Sequence, residues 1–185
     1  MTLLPPLVIT PSRPDRTPLL AEAYASVEAQ TIACTHLIGI DHAGEGPALI
    51  RNAAMRHSPH PVVAFLDDDD LMDPDHLEVL TMALVEHEAD LVFSWYRKQG
   101  STPETERIHV WDDYAYGVML GGRNLIPVTV VARREAILDA GGFDPDDRYE
   151  DYALWMRMLA QEARIVVVPR ETWTYRMLGD NRTWT

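Results

Sequence analysis

Apolar runs punctuated by turn residues divide this chain into a repeating pattern. LVIT at 7–10, HLIGID at 36–41, VVAFLD at 62–67, DLVFSWY at 90–96 and IPVTVVAR at 126–133, with RIVVVP further on, predict short buried strands. Segments with apolar residues three and four apart lie between them. One runs from about Pro18 to Gln30, capped by Thr17, with Leu19, Leu20, Ala23, Tyr24 and Val27 on one face. A second runs from Pro47 to about His57. A third opens at Pro74 behind Asp73 as cap, with Leu77, Leu80 and Leu84 as its apolar face. REAILDAG, stopped by Gly141 or Gly142, and residues 150–163 complete the helices. This alternation predicts an α/β fold, a mainly parallel sheet covered by helices on both faces, with ligands at the carboxyl ends of the strands. Residues 97–123 lose the period and read as an irregular excursion over that end, and TWTYRMLGDNRTWT reads as a tail.

Composition narrows the class. A chain of 185 residues that is 46% hydrophobic suits one domain with a sizeable core. With 29 acidic against 16 basic residues and a net charge of -13, nucleic acid and anionic membranes are disfavoured as partners. Cys34 is the only cysteine, so neither an intrachain disulfide nor a cysteine-rich zinc site is expected, and a reducing cytoplasm is the natural compartment. MTLLPPLVIT lacks the basic start and long apolar run of a signal peptide, and no stretch approaches the ~18 apolar residues of a membrane span. A soluble, uncleaved protein is expected.

The chemistry concentrates at FLDDDDLMDP, where a buried strand ends in Asp67, Asp68, Asp69 and Asp70. A solvated acidic turn before a helix is the simplest account of such a run. At the mouth of a buried strand, however, like charges ~4 Å apart repel by about 4 kcal/mol at an effective dielectric of ~20. A hard divalent cation, magnesium or manganese, relieves that repulsion and bridges carboxylates to the phosphates of a nucleotide. The loop lacks the ligand spacing of an EF-hand.

The ordered set VITPSRPDR, SVEAQT, LIGID, IRNAA, FLDDDD followed by DP, a strand running into RR, GGFD, EDYALW and a terminal YR resembles family 2 glycosyltransferases with the GT-A fold, nearly end to end. The resemblance implies a single Rossmann-like domain over 1–185, with a nucleotide-binding half at 1–96 and an acceptor-side half at 97–185. It implies metal-dependent, inverting transfer of a sugar from a nucleotide-diphosphate donor, a UDP-sugar being favoured, to an acceptor hydroxyl on a glycan, protein or small molecule. Thr10, Pro11, Ser12 and Arg13 then line the nucleoside pocket, Asp41 bonds the base, and Arg51 sits near the nucleotide. Asp67 touches the ribose side, Asp69 ligates the metal in the DXD manner with Asp68 as a substitute, and Asp151 is the general base. Glu150, Trp155, Gly141 and Gly142 fall on the acceptor side, Trp155 one helical turn beyond Asp151. Leu178 stands where many family members carry a histidine two positions after YR, which leaves a third metal ligand unassigned; Arg176, Asn181 and Arg182 are candidate phosphate contacts, and Trp184 a candidate sugar platform. Oligomeric state is open, a homodimer included.

Three other readings compete. GEGPAL at 44–49 follows a strand and opens a helix as a dinucleotide-binding motif does, but its third glycine is Leu49. A non-catalytic nucleotide-sugar or carbohydrate-binding module of the same fold predicts donor binding without turnover. A sugar-phosphate nucleotidyltransferase predicts release of pyrophosphate.

Overall fold

The computed structural model describes residues 4–100 and 107–178. Its strands are β1 (Leu7–Ser12), β2 (Thr35–Ile40), β3 (Val62–Phe65), β4 (Leu71–Met72), β5 (Leu91–Gln99), β6 (Val130–Arg133) and β7 (Ile165–Arg176). They form one sheet in the order β2-β1-β3-β6-β5-β7-β4. The pairs β1–β2, β1–β3 and β5–β7 are parallel, whereas β6 runs antiparallel to β3 and β5, and β4 antiparallel to β7. The helices are α1 (Thr17–Glu28), α2 (Pro47–Arg56), α3 (His76–Glu86), α4 (Asp113–Leu120), α5 (Arg134–Asp139) and α6 (Glu150–Ala160). This is the expected α/β domain with a mixed central sheet. Among the described residues no helix is long and apolar enough to cross a membrane.

Strand alternation sorts the core into two layers. Leu7, Ile9, Val63, Phe65, Leu91, Phe93, Val130 and Ala132 face α2, α4, α5 and α6, while Val8, Ala64, Leu66, Val92 and Val131 face α1 and α3. The same alternation carries past the end of β3. Asp67 continues the side of Phe65 toward α2, and Asp68 continues the side of Leu66 toward α1.

Several elements depart from the pattern. β2 is an edge strand, half-exposed rather than buried on both faces. Tyr24 lies outside the core, stacked on the His36 ring at 5.7 Å. α3 starts at His76 rather than Pro74, because Asp73 does not cap it: its side chain pairs with Arg97 and its carbonyl accepts from His76 and Gln30. The excursion contains a helix, α4, whose cap Asp112 accepts from the Ala115 amide at 3.0 Å. β7 does not stop at Pro169. It continues to Arg176 across a bulge that absorbs the residue without an N–H, so most of the described tail is a central strand.

Gly141 and Gly142 close α5. Both have positive φ, 91° and 72°, and their amides bond Leu138 and Ile137 carbonyls. Gly142 is buried, with the Asn52 side chain against it, so it serves this turn, whereas Gly141 is exposed. A Cβ at Gly142 would fall 2.6 Å from Asn52 Oδ1. Gly142→Ala is therefore expected to lower stability by about 1–3 kcal/mol, measured by urea denaturation. An unchanged midpoint would mean that this corner is soft.

Candidate active site

The aspartates form a tight turn between β3 and β4, closed by the Asp70 amide donating to the Asp67 carbonyl at 3.1 Å. β4 then pins the turn against the end of β7, pairing Leu71 with Thr174 and Met72 with Trp173. Each carboxylate meets a donor from a different part of the chain. Asp67 accepts from Arg51 Nη2 at 2.6 Å. Asp68 accepts from Ser12 Oγ at 2.5 Å, and Asp69 from Arg16 Nη2 at 2.5 Å. Asp70 accepts from the Arg176 amide at 2.9 Å, while the Arg176 guanidinium holds the Asp69 carbonyl and Glu22. Arginines therefore already offset much of the repulsion that the sequence assigned to a cation.

Burial nevertheless dominates the electrostatics. It pushes Asp69 up to about 6, reinforced by the charge of Asp67, and raises Asp70 well above the ordinary carboxylate range. Asp68 is raised by burial too, against the opposing effects of Ser12 and Arg16. Asp67, Asp69 and Asp70 each offer an oxygen, and these atoms all lie within 4.8 Å of one another. An oxygen-only set of that size fits a hard divalent cation, so the metal would be held by Asp69 with Asp67 and Asp70 beside it.

Arg51 links this turn to the other candidate group. It is 2% exposed and bonds Asp67 through one nitrogen and Glu150, the first residue of α6, through the other at 3.2 Å. Its guanidinium stacks 5.0 Å from the centre of the Phe143 ring, which also contacts Phe65 and Trp155 edge-on. Asn52, the next residue, clasps the Phe143 backbone with bonds of 2.6 and 2.9 Å. The RN and GGFD segments thus lock together. Asp151 follows Glu150 and accepts from Asn124 Nδ2 at 3.0 Å and from the Tyr152 amide at 2.7 Å. Burial pushes Asp151 up to about 6, and the charge of Glu150 adds to it.

Other expected residues are placed differently. Thr10 is fully buried, its hydroxyl on the His36 ring at 2.9 Å, and Pro11 is buried beside it, so both support the site from behind. Arg13 is exposed and pairs with Asp15 at 3.4 Å. Asp41 lies at the end of β2 and accepts from the amides of Gly44, Glu45 and Gly46 at 2.7, 3.1 and 2.7 Å. These bonds, that of Gly46 first, hold its carboxyl below the usual range and tie the GEG glycines to the loop itself. Trp155 is 0% exposed and belongs to the core, so it offers no face to an acceptor: helical spacing places it beside Asp151 but turns it inward against Phe143. Leu178 is 45% exposed. Asn181, Arg182 and Trp184 lie outside the described residues. The sequence reading missed Arg16 and Asn124. A basic residue in the first turn of so acidic a chain was a usable signal for Arg16; nothing local marked Asn124.

Comparison with known proteins bears on the family and the fold. Residues 7–135 match the family described as Glycosyl transferase family 2. The uncharacterized glycosyltransferase YwdF of Bacillus subtilis (strain 168) is 25% identical over an alignment covering 91% of this chain and 74% of YwdF. Among solved structures, S. aureus TarS 1-349 in complex with UDP-GlcNAc superposes with a TM-score of 0.79 at 15% identity, covering 98% of this chain and 62% of that one. Mannosyltransferase PcManGT from Pyrobaculum calidifontis, in complex with GDP-Man and Mn2+, gives 0.68 at 16% identity, covering 95% and 57%. The chain thus spans about 60% of the length of these solved relatives.

The Arg51 bridge is testable as a structural unit. Arg51→Met keeps the bulk over Phe143 but leaves Glu150 and Asp67 without their cation. Because the Asp67 side chain is 37% exposed and Glu150 only 14%, most of the cost falls on Glu150. A loss of about 2 kcal/mol in urea denaturation is expected, and Arg51→Met with Glu150→Gln should recover much of it.

Proposed function

The chain belongs to glycosyl transferase family 2, and from that premise we propose that it moves a hexosyl group from a nucleotide-diphosphate donor, a UDP-sugar in the first instance, to an acceptor hydroxyl with inversion. The observation that carries this reading is the bridge from Asp67 through Arg51 to Glu150, which joins the aspartate turn to the start of α6, where Asp151 stands. The complexes of TarS with UDP-GlcNAc and of PcManGT with GDP-Man and Mn2+ support a donor of this class and a divalent metal. In this reading residues 1–96 form the nucleotide half and 97–185 the acceptor half. A cytoplasmic location belongs to the same proposal.

A manganese or magnesium ion at Asp69, flanked by Asp67 and Asp70, would neutralise the charge that develops on the departing diphosphate. The remaining work falls to side chains. Asp41, fixed at the end of β2 by the amides of its own loop, is the residue assigned to a base N–H. Ser12 and Asp67 lie at the mouths of β1 and β3 for the ribose. Asp151 accepts the acceptor proton as its oxygen attacks the anomeric carbon opposite the leaving group. Asn124 orients the carboxylate: its Oδ1 accepts from the Ile126 amide at 3.1 Å, so its Nδ2 points at Asp151 Oδ2, while the Tyr152 amide holds Asp151 Oδ1.

Three outcomes test the reading. Thermal stability against nucleotide diphospho-sugars, with and without manganese, should rise for one nucleotide class only with metal, by about 2.7 kcal/mol at 100 times the dissociation constant. No shift with any donor would remove the basis for transfer. Asp69→Ala should abolish metal-dependent donor binding and turnover together, whereas Asp151→Asn should keep binding and lose at least ~100-fold in turnover. Binding without turnover in the parent protein would identify a carbohydrate-recognition module instead. With donor and metal saturating, turnover should fall tenfold per pH unit below about 6 as Asp151 takes up its proton; a flat profile down to pH 5 would remove Asp151 from that role.

A further inference from the structure

Four carboxylates at 67–70 are served by three arginines, Arg16 and Arg51 through their guanidiniums and Arg176 through its backbone amide, and the three are not equivalent. Arg51 is locked inside the protein between two carboxylates and a phenyl ring. Arg176 is fixed by its own strand: its amide holds Asp70 and its side chain spans Glu22 and the Asp69 carbonyl. Arg16 lies instead on the 3-10 turn Pro14–Arg16 between β1 and α1, and its side chain is 15% exposed. Its Nη2 sits 2.5 Å from Asp69 Oδ2, and its Nε lies 3.0 Å from Asp68 Oδ1 without hydrogen-bond alignment.

Asp69 is thus claimed twice. It gives its oxygen to Arg16, and it belongs to the trio whose oxygens converge to within 4.8 Å. A guanidinium on that carboxylate and a divalent cation in the trio are like charges in a largely buried place, where screening is weak. A diphosphate changes the balance, because its paired anionic oxygens match the planar fork of an arginine better than two separate carboxylates do. Arg16 is the one of the three that is carried on the connection between β1 and α1, and its side chain is the most exposed, 15% against 2% for Arg51 and 9% for Arg176.

We propose that Arg16 is a tethered cation that competes with the divalent metal for Asp69 and Asp68 and is drawn off them by the donor diphosphate, so that nucleotide and metal enter together. The proposal rests on the donor reading above. It makes Arg16 a positioning residue for the diphosphate and couples the two affinities reciprocally: whatever factor the nucleotide adds to metal affinity, the metal adds to that of the nucleotide.

The test is Mn2+ binding, followed by the electron paramagnetic resonance of the free ion, with and without UDP, in the parent protein, Arg16→Gln and Arg16→Lys. The parent should hold Mn2+ alone weakly and at least tenfold more tightly with UDP. Arg16→Gln should hold Mn2+ alone at least tenfold more tightly than the parent, narrowing the gap that UDP opens, and Arg16→Lys should fall between. A folded Arg16→Gln protein that binds Mn2+ alone no better than the parent overturns the proposal. If Arg16→Gln does not fold, a parent protein that binds Mn2+ equally with and without UDP overturns it. Failure of UDP and of every other nucleoside diphosphate to bind would defeat the donor reading and the release step, while tighter Mn2+ binding by Arg16→Gln would still establish the competition.

Discussion

Like charge crowded into a dry place is the constraint around which this protein is arranged. Four aspartates leave the end of β3 on a single turn, two of them buried. Water screens the buried pair weakly, and the chain brings arginines from the first loop, the second helix and the last strand. Each of those contacts fixes a piece of architecture. Arg51 orients α6, Arg176 ties β7 and α1 to the turn, and Arg16 holds the β1–α1 loop across it.

Phe143 is the apolar counterpart of this electrostatic frame. Its backbone is held by Asn52, its ring lies beneath the Arg51 guanidinium, and its edges meet Phe65 at the end of β3 and Trp155 in α6. The polar turn and the candidate base are therefore positioned by one packed aromatic cluster. A change in that cluster displaces both.

Much of this was legible in the sequence, for identifiable reasons. Leu77, Leu80 and Leu84 recur at helical spacing and are buried in α3; the apolar runs that became β1, β3, β5 and β6 carry their alternation openly. What failed were signals that depend on partners far along the chain. Asp73 has the chemistry of a cap, yet Arg97 takes it. Pro169 has the look of a terminus, yet a bulge opposite Trp95 carries the strand through. Trp155 is on the right helix, but only packing against Phe143 decides which way its ring turns. Among the candidate site residues, side-chain type was readable and pairing was not: nothing local says that Ser12 belongs to Asp68, or that Asn124 reaches Asp151.

The distance along the chain between Asp70 and Arg176, 106 residues, also bears on how the protein is born. β4 takes its strand partner from β7, so the aspartate turn has neither its sheet neighbour nor its third arginine until the last strand has been made. At about 5–20 residues per second on the ribosome, that interval is roughly 5–20 s. During it the emerging chain carries an acidic turn in which Asp67, Asp68 and Asp69 have partners already made, while Asp70 and β4 have none of theirs. The Asp70 side of the turn is thus closed only when β7 is made, long after the partners of the other three aspartates.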